Sequence, residues 1–283
     1  MSPWRLVADV GGTNVRFARA TLDGALADVA STPTLAHQSF SDAMANYLSG
    51  LGGSGSCVFA AIGAAGPVDH GVVQLTNGAW RIDAGAISAD LGGKPVRLIN
   101  DLEAVAHAAP RLKAEDLAPI IGPAEANVGP RLVINVGTGF GAAIAAPAAE
   151  GWIVIGCEPG HMRLALDARI AARLKVENPS IENVMSGLAL QSAWRADSVL
   201  ASDEFARLLG QVCGDLVLAT GAWGGVYTCG SVASAWVAQS RFDAFREAFE
   251  DKGPMSARMR GVPIAHIVNP HAALLGLAAL PEI

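Results

Sequence analysis

Apolar and polar positions alternate in short runs along most of this chain, and glycine or proline breaks nearly every run. That pattern predicts strands interleaved with short helices. The clearest run is Leu6-Val-Ala-Asp-Val10, which enters Gly11-Gly12-Thr13 and resumes at Val15, Phe17 and Ala18. It predicts strand, tight turn, strand, with glycine supplying the free φ of the turn. The pattern recurs over residues 132–146, where Leu132-Val-Ile-Asn-Val136 enters Gly137-Thr138-Gly139. Leu6/Leu132, Val7/Val133, Val10/Val136, Gly11/Gly137 and Ala20/Ala146 then coincide, and Asp9 stands opposite Asn135. Two copies of one hairpin predict two similar halves facing each other across a cleft. Backbone N–H groups of such Gly-Thr turns make concave anion sites, usually for phosphate. Either copy alone could also be a plain glycine hairpin.

Further elements follow from the same patterning. A third antiparallel strand is expected over residues 25–33, and Ser41 is expected to cap a helix that buries Met44, Leu48 and Leu51. Strands are predicted at 57–62, 72–76 and 95–99, and a helix after Asn100-Asp101 that Pro110 ends. Residues 111–130 are rich in Pro, Ala and Gly and are expected to be a domain crossing without regular structure. The second half continues with a strand at 152–155, helices from about Leu166 to Lys175 and from Ser186-Gly187 to Trp194, and strands at 225–229 and 263–268. Its strongest helical spacing joins Phe205, Leu208, Leu209, Val212, Leu216 and Ala219. A closing helix is expected from His271 to Leu280. The expected organisation is α/β, with mixed sheets flanked by helices. Residues 1–110 with 269–283 would form the smaller domain and 111–268 the larger.

Composition narrows the classes. Of 283 residues, 51% are hydrophobic and 16% charged, so the chain can bury a full core and is not disordered. A net charge of −6 with no basic block argues against nucleic acid or an anionic membrane as partner. The four cysteines are scattered without Cys-x-x-Cys, which fits a reducing cytoplasm and offers no zinc site. The uncharged run 132–149 is broken by Asn135, Thr138, glycines and Pro147, and reads as a buried hairpin rather than a membrane span.

Asn100-Asp101 ends a strand and begins a helix, where open α/β sheets bind ligands. Asp101 could also be a helix N-cap and no more. Glu158 and His161 share one loop beside Gly160, and Glu182 precedes Met185-Ser186-Gly187. Two carboxylates and an imidazole could grip sugar hydroxyls or sit as solvated loop residues. Their spacing does not suit zinc.

Together these motifs resemble the bacterial glucokinases. The resemblance rests on Asp9-Val-Gly-Gly-Thr-Asn14, Gly63-Ala-Ala-Gly-Pro67, Thr76-Asn77, Ile99-Asn100-Asp101, Gly137-Thr138-Gly139, residues 158–161, Glu182-Asn-Val-Met-Ser-Gly187 and Ala248-Phe-Glu-Asp-Lys-Gly253, in the family's order and over nearly the whole chain. It implies two actin-like ATPase (ribonuclease H-like) domains closing on a hexose and ATP. Asp101 would match the general base for the sugar 6-hydroxyl. Asn77, Asn100, Glu158, His161 and Glu182 would match the sugar-binding residues. Asp9, Gly11, Gly12, Thr13, Asn14, Gly137 and Thr138 would match the phosphate and Mg²⁺ region, and Gly230 would lie by the adenosine. No protein-held metal is implied beyond Mg²⁺ on the phosphates, and a homodimer is compatible. Pro159 stands where the family usually has glycine, and Ser231 where a second glycine is usual.

The implied reaction is ATP-dependent phosphorylation of D-glucose. A kinase for another hexose or an N-acetyl hexosamine, and a non-catalytic sugar sensor, are the alternatives. A repressor on this fold would need a helix-turn-helix ahead of the first strand, where Met1 to Arg5 stand. A dinucleotide-binding dehydrogenase is excluded, since the first turn lacks Gly-x-Gly-x-x-Gly and leads into a strand.

Overall fold

The computed structural model describes residues 2–76, 78–123, 127–194 and 202–281. The chain divides into two compact units, Met1–Arg111 with Pro270–Ile283, and Leu112–Asn269.

The first unit is built on a five-stranded sheet. Its strands are β1 (Trp4–Val10), β2 (Asn14–Ala20), β3 (Leu26–Pro33), β4 (Cys57–Ala64) and, after a small ribbon of β5 (Val72–Gln74) and β6 (Arg81–Asp83), β7 (Val96–Asn100). Their order is β3-β2-β1-β4-β7. The first three are antiparallel, and β1, β4 and β7 run parallel. One face packs Leu6, Phe17, Ile62 and Leu98 against the helix Phe40–Gly50. The other packs Val7, Phe59 and Ala61 against the helices Asp101–Ala108 and Ala272–Ala278. Those two helices touch so closely that a Cβ on Gly276 would lie 1.8 Å from the Ala104 carbonyl oxygen. The closing helix therefore belongs to the first unit although its sequence comes last.

The second unit repeats the plan in a six-stranded sheet of β8 (Leu117–Ile121), β9 (Arg131–Val136), β10 (Phe140–Ala148), β11 (Gly151–Cys157), β12 (Gly225–Cys229) and β13 (Ile264–Ile267). The order is β11-β10-β9-β12-β13-β8, with β9, β12 and β13 parallel. The helix Asp203–Thr220 lays Phe205, Leu208, Leu209, Val212 and Leu216 on this sheet. Each such side chain is worth about 1.5–3 kcal/mol when fully buried. Ser202 caps its N-terminus and Gly221 ends it in left-handed backbone at φ 66°. Gly210 lets the helix Asp243–Glu250 approach, since a Cβ there would meet the Phe245 carbonyl oxygen at 2.2 Å.

Three local expectations are corrected. Ser39, not Ser41, caps the first helix by accepting from the Asp42 N–H, while Ser41 bonds Asp90. Residues 117–121, expected to be a crossing loop, form β8, an edge strand antiparallel to β13. Pro119 is tolerated there because an edge strand can spare an N–H. The helix expected to run from Ser186 to Trp194 breaks after Ala189 into a wider π turn. Among the described residues no helix is long and apolar enough to cross a membrane.

Candidate active site

In the first unit the candidate residues gather at the carboxyl ends of β1, β4 and β7. Asp9 is the penultimate residue of β1, paired with Gly63 on β4 and with Arg16 on β2. Arg16 Nη1 donates to Asp9 Oδ2 at 3.0 Å. Burial nevertheless holds the Asp9 carboxyl above its ordinary range, with the guanidinium pulling the other way. Gly11, Gly12 and Thr13 form the turn between β1 and β2, closed by the Gly11 N–H on the Asn14 carbonyl at 3.0 Å. Buried Thr34 fixes this turn, with its Oγ1 donating to the Gly12 carbonyl at 2.8 Å and its N–H to the Thr13 carbonyl at 2.9 Å.

Asn100 ends β7, pairing with Ala64. It is the N-cap of the helix Asp101–Ala108: its Oδ1 accepts from the Leu102 and Glu103 N–H groups, while its Nδ2 donates to the Gly66 carbonyl at 3.1 Å. The capping role expected as an alternative for Asp101 thus falls to its neighbour. Asp101 is the first helical residue, and its Oδ1 also accepts from the Leu102 N–H at 2.9 Å. Gly63 permits this arrangement, since a Cβ there would lie 3.1 Å from Ala104 Cβ and 3.6 Å from Asp101 Cα. Burial first, then the charge of Asp9, raises the Asp101 carboxyl to about 6. Asn77, a sequence-predicted sugar residue, lies outside the described residues.

In the second unit Gly137, Thr138 and Gly139 join β9 to β10, with the Gly137 N–H donating to the Gly139 carbonyl at 3.0 Å. The Gly187 N–H donates to the Gly137 carbonyl at 2.7 Å. Glu182, first residue of the short helix Glu182–Met185, accepts the Phe140 N–H on Oε2 at 2.9 Å. A Cβ on Gly139 would lie 2.7 Å from that same oxygen. The expectation that the hairpin glycines are needed for their φ is therefore corrected. Gly11, Gly137 and Gly139 avoid left-handed backbone, and a side chain at Gly139 would push the Glu182 carboxylate away from the Phe140 N–H.

Glu158 precedes a 3₁₀ turn, Pro159–His161, whose Gly160 packs on β10, a Cβ there falling 2.2 Å from the Phe140 carbonyl oxygen and 3.5 Å from Glu182 Cβ. The turn thus brings Glu158, His161 and Glu182 to one region beside the second glycine turn. The side chains of Glu158 and His161 are exposed and form no hydrogen bond or ion pair with other described residues. Gly230 follows β12 at φ 95°, pressed on the end of β9, where a Cβ would meet Asn135 Oδ1 at 2.3 Å and the Val136 carbonyl oxygen at 2.6 Å.

The comparisons decide what this arrangement belongs to. The chain matches the glucokinase family over residues 6–198 and 182–282. The chain belongs to the glucokinase family. It is 32% identical to the glucokinase of Nitrobacter hamburgensis, covering 99% of this chain and 98% of that one, and 32% identical to that of Chromobacterium violaceum, covering 97% and 88%. Among solved structures, a glucokinase from an Antarctic psychrotroph superposes with a TM-score of 0.85 at 28% identity, covering 99% of this chain and 98% of that one. The hexokinase of Thermus thermophilus shares the fold, with a TM-score of 0.68 at 21% identity over 98% and 97% of the two chains. The two repeated α/β sheets are those of the actin-like ATPase fold. Two fixing residues of the first unit escaped the sequence reading. Arg16 had a signal, since hairpin pairing across Gly11-Gly12-Thr13 sets it opposite Asp9. Thr34 had none, because its partner lies 22 residues earlier.

Proposed function

We propose that this chain transfers the γ-phosphoryl group of ATP to the 6-hydroxyl of D-glucose, giving glucose 6-phosphate and ADP. Family membership supports the reaction type. The observation that carries it is Asp101, a carboxylate set at a strand end, raised to about 6, at the start of a helix whose N-cap is Asn100. A base tuned near the working pH suits proton removal from a hydroxyl. Phosphoryl transfer needs little else beyond positioning and charge stabilisation.

Asp101 takes the 6-hydroxyl proton, and Asn100, whose amide caps the helix and bonds Gly66, holds the Asp101 backbone in place and keeps a second Nδ2 proton for a sugar hydroxyl. Asn77, Glu158, His161 and Glu182 bind the other sugar hydroxyls, which suits polar side chains with no competing hydrogen bond or ion pair among the described residues, as at Glu158 and His161. Gly11, Gly12, Thr13 and Asn14, with Gly137 and Thr138, form the two turns that receive the phosphates: the Gly11 and Gly137 N–H groups close the turns, and Gly12, Thr13 and Thr138 offer backbone N–H groups to the ligand. Gly230 lies by the adenosine. Magnesium usually takes one or two carboxylates plus substrate phosphates. Among the described residues no group of three or more His, Cys, Asp or Glu could cage a metal, and a single part-buried Asp9 fits that smaller demand. When bound, Mg²⁺ would neutralise phosphate charge; Asp9 would hold it, with Arg16 keeping the carboxylate oriented.

Thermal unfolding with glucose, mannose, fructose and N-acetylglucosamine tests the sugar assignment, because a ligand that binds only the native state raises its stability. Glucose should give the largest shift, and Glu158→Ala, His161→Ala and Glu182→Ala should each diminish it. A folded protein that responds to none of the sugars contradicts the proposal.

A further inference from the structure

A chain of three polar side chains behind the Gly230 turn has no part in the roles above. Thr228 on β12 and His266 on β13 are paired in register across the parallel strands, and both are buried. Thr228 Oγ1 lies 3.1 Å from His266 Nδ1. On the other side of the ring, His266 Nε2 lies 3.0 Å from Ser234 Oγ, one turn into the helix Ser231–Val237. Ser234 Oγ in turn donates to the Gly230 carbonyl at 2.9 Å.

The two ring bonds depend on the histidine tautomer, and assigning the Ser234 proton to the Gly230 carbonyl selects one. A serine hydroxyl has one proton, and here it goes to Gly230. Ser234 must therefore accept from His266 Nε2–H. The neutral ring then has a bare Nδ1, which accepts from the Thr228 hydroxyl. Burial supports the neutral form of His266, since it disfavours the charged ring. The result is one directed sequence, Thr228 to His266 to Ser234 to the Gly230 carbonyl.

That sequence holds a turn already pinned from below. The Gly230 Cα rests on Asn135 and Val136, at the end of β9, with no room for a side chain. The pinned turn sits at a topologically special place. From β9 the chain passes to β10 on one side, whereas from β12 it passes to β13 on the other. The carboxyl ends of β9 and β12 thus flank the switch point of the sheet, where open α/β sheets receive ligands. Beside it lies the Gly137-Thr138-Gly139 turn.

We propose that Thr228, His266 and Ser234 are positioning residues for a purine nucleotide, holding the Gly230 turn in the shape that receives the adenosine. This rests on the nucleotide assignment above. Its benefit is preorganisation: a turn fixed before binding has less freedom to lose when the ligand arrives. None of the three need touch the nucleotide.

The test is calorimetric titration of the full chain with ADP, together with KM values for ATP and glucose, for His266→Leu, His266→Gln and Ser234→Ala. Loss of one neutral hydrogen bond supports an expected rise of about three- to tenfold in the ADP Kd and the ATP KM for His266→Leu and Ser234→Ala. The glucose KM should stay within about twofold on the same scale. His266→Gln should recover part of the loss, because its side-chain N–H can still donate to Ser234. An unchanged ADP affinity in a folded His266→Leu and in Ser234→Ala overturns the proposal, as does a Gln variant no better than the Leu one. Should His266→Leu fail to fold, Ser234→Ala decides, since its side chain is on an exposed helix surface. A wild-type protein that binds no ADP overturns both this proposal and the kinase reading. One that binds ADP but phosphorylates no hexose, with Ser234→Ala weakening ADP, upholds the positioning role and removes the sugar-kinase reading alone.

Discussion

Replacing Asp101 by Asn should destroy activity while making the protein more stable at neutral pH. The carboxyl is displaced from 3.8 to about 6 by burial and by the charge of Asp9. A difference of about 2 units at 1.36 kcal/mol per unit makes the ionised form at most about 3 kcal/mol worse placed in the folded than in the unfolded chain. The sign follows from proton uptake. Between pH 4 and 6 the native state binds more protons than the unfolded one, so this group's contribution to stability falls as pH rises. Below pH 4 both states are protonated and the penalty is absent. Asn carries no charge at any pH, and its Oδ1 can still accept from the Leu102 N–H. Asp101→Asn should therefore match wild type in urea unfolding at pH 4 and exceed it by up to about 3 kcal/mol at pH 8. Turnover should fall by about 10²–10⁴-fold, and wild-type kcat/KM should decline as pH drops through about 6. An Asn variant that is less stable at pH 8 would show that capping-type contacts outweigh desolvation at this site. One that keeps turnover within tenfold would remove Asp101 as the base.

Other outcomes follow from the second unit and the first turn. Glu182→Ala leaves the Phe140 N–H without its charged acceptor, and should cost about 1–3 kcal/mol in denaturant unfolding as well as the glucose-induced thermal shift; Glu182→Gln should restore the stability but less of the shift. Pro159→Gly should weaken glucose affinity by roughly 0.4–1 kcal/mol, about two- to fivefold, because Pro159 occupies the first position of a 3₁₀ turn, where its fixed φ is already suitable; calorimetry reads this directly, and tighter binding would mean that the proline strains the loop. Thr34→Val removes the hydroxyl on the Gly12 carbonyl and should cost about 0.5–1.5 kcal/mol, with a raised KM for ATP and little change in that for glucose.

The repeated hairpin made the fold legible before any coordinates. Leu6 to Val10 and Leu132 to Val136 carry the alternation, the glycine turn and the polar residue at one shared place, and each became an interior strand of its sheet. Strand β8 was hidden because Leu117-Ala-Pro-Ile-Ile has little alternation and a proline, and its pairing partner β13 is more than 140 residues away in the sequence. The division of labour between Asn100 and Asp101 was also hidden. Both are good caps by type, and only the direction in which β7 delivers the chain decides which side chain faces the free N–H groups. The glycines of the turns could be found by pattern, but the reason for Gly139 could not, since Glu182 reaches it from 43 residues further along. The histidine–hydroxyl chain behind Gly230 had no sequence signal, because it depends on the register of two strands with 37 residues between Thr228 and His266.

The central claim is the transfer of a phosphoryl group from ATP to glucose, and the initial rate of glucose-dependent ADP release tests it most directly. With ATP and Mg²⁺ present, the account predicts rapid ADP release with glucose, formation of glucose 6-phosphate as the product, and loss of both in Asp101→Asn. Release of ADP at the same rate with and without any hexose, or no release with a folded protein, would contradict it.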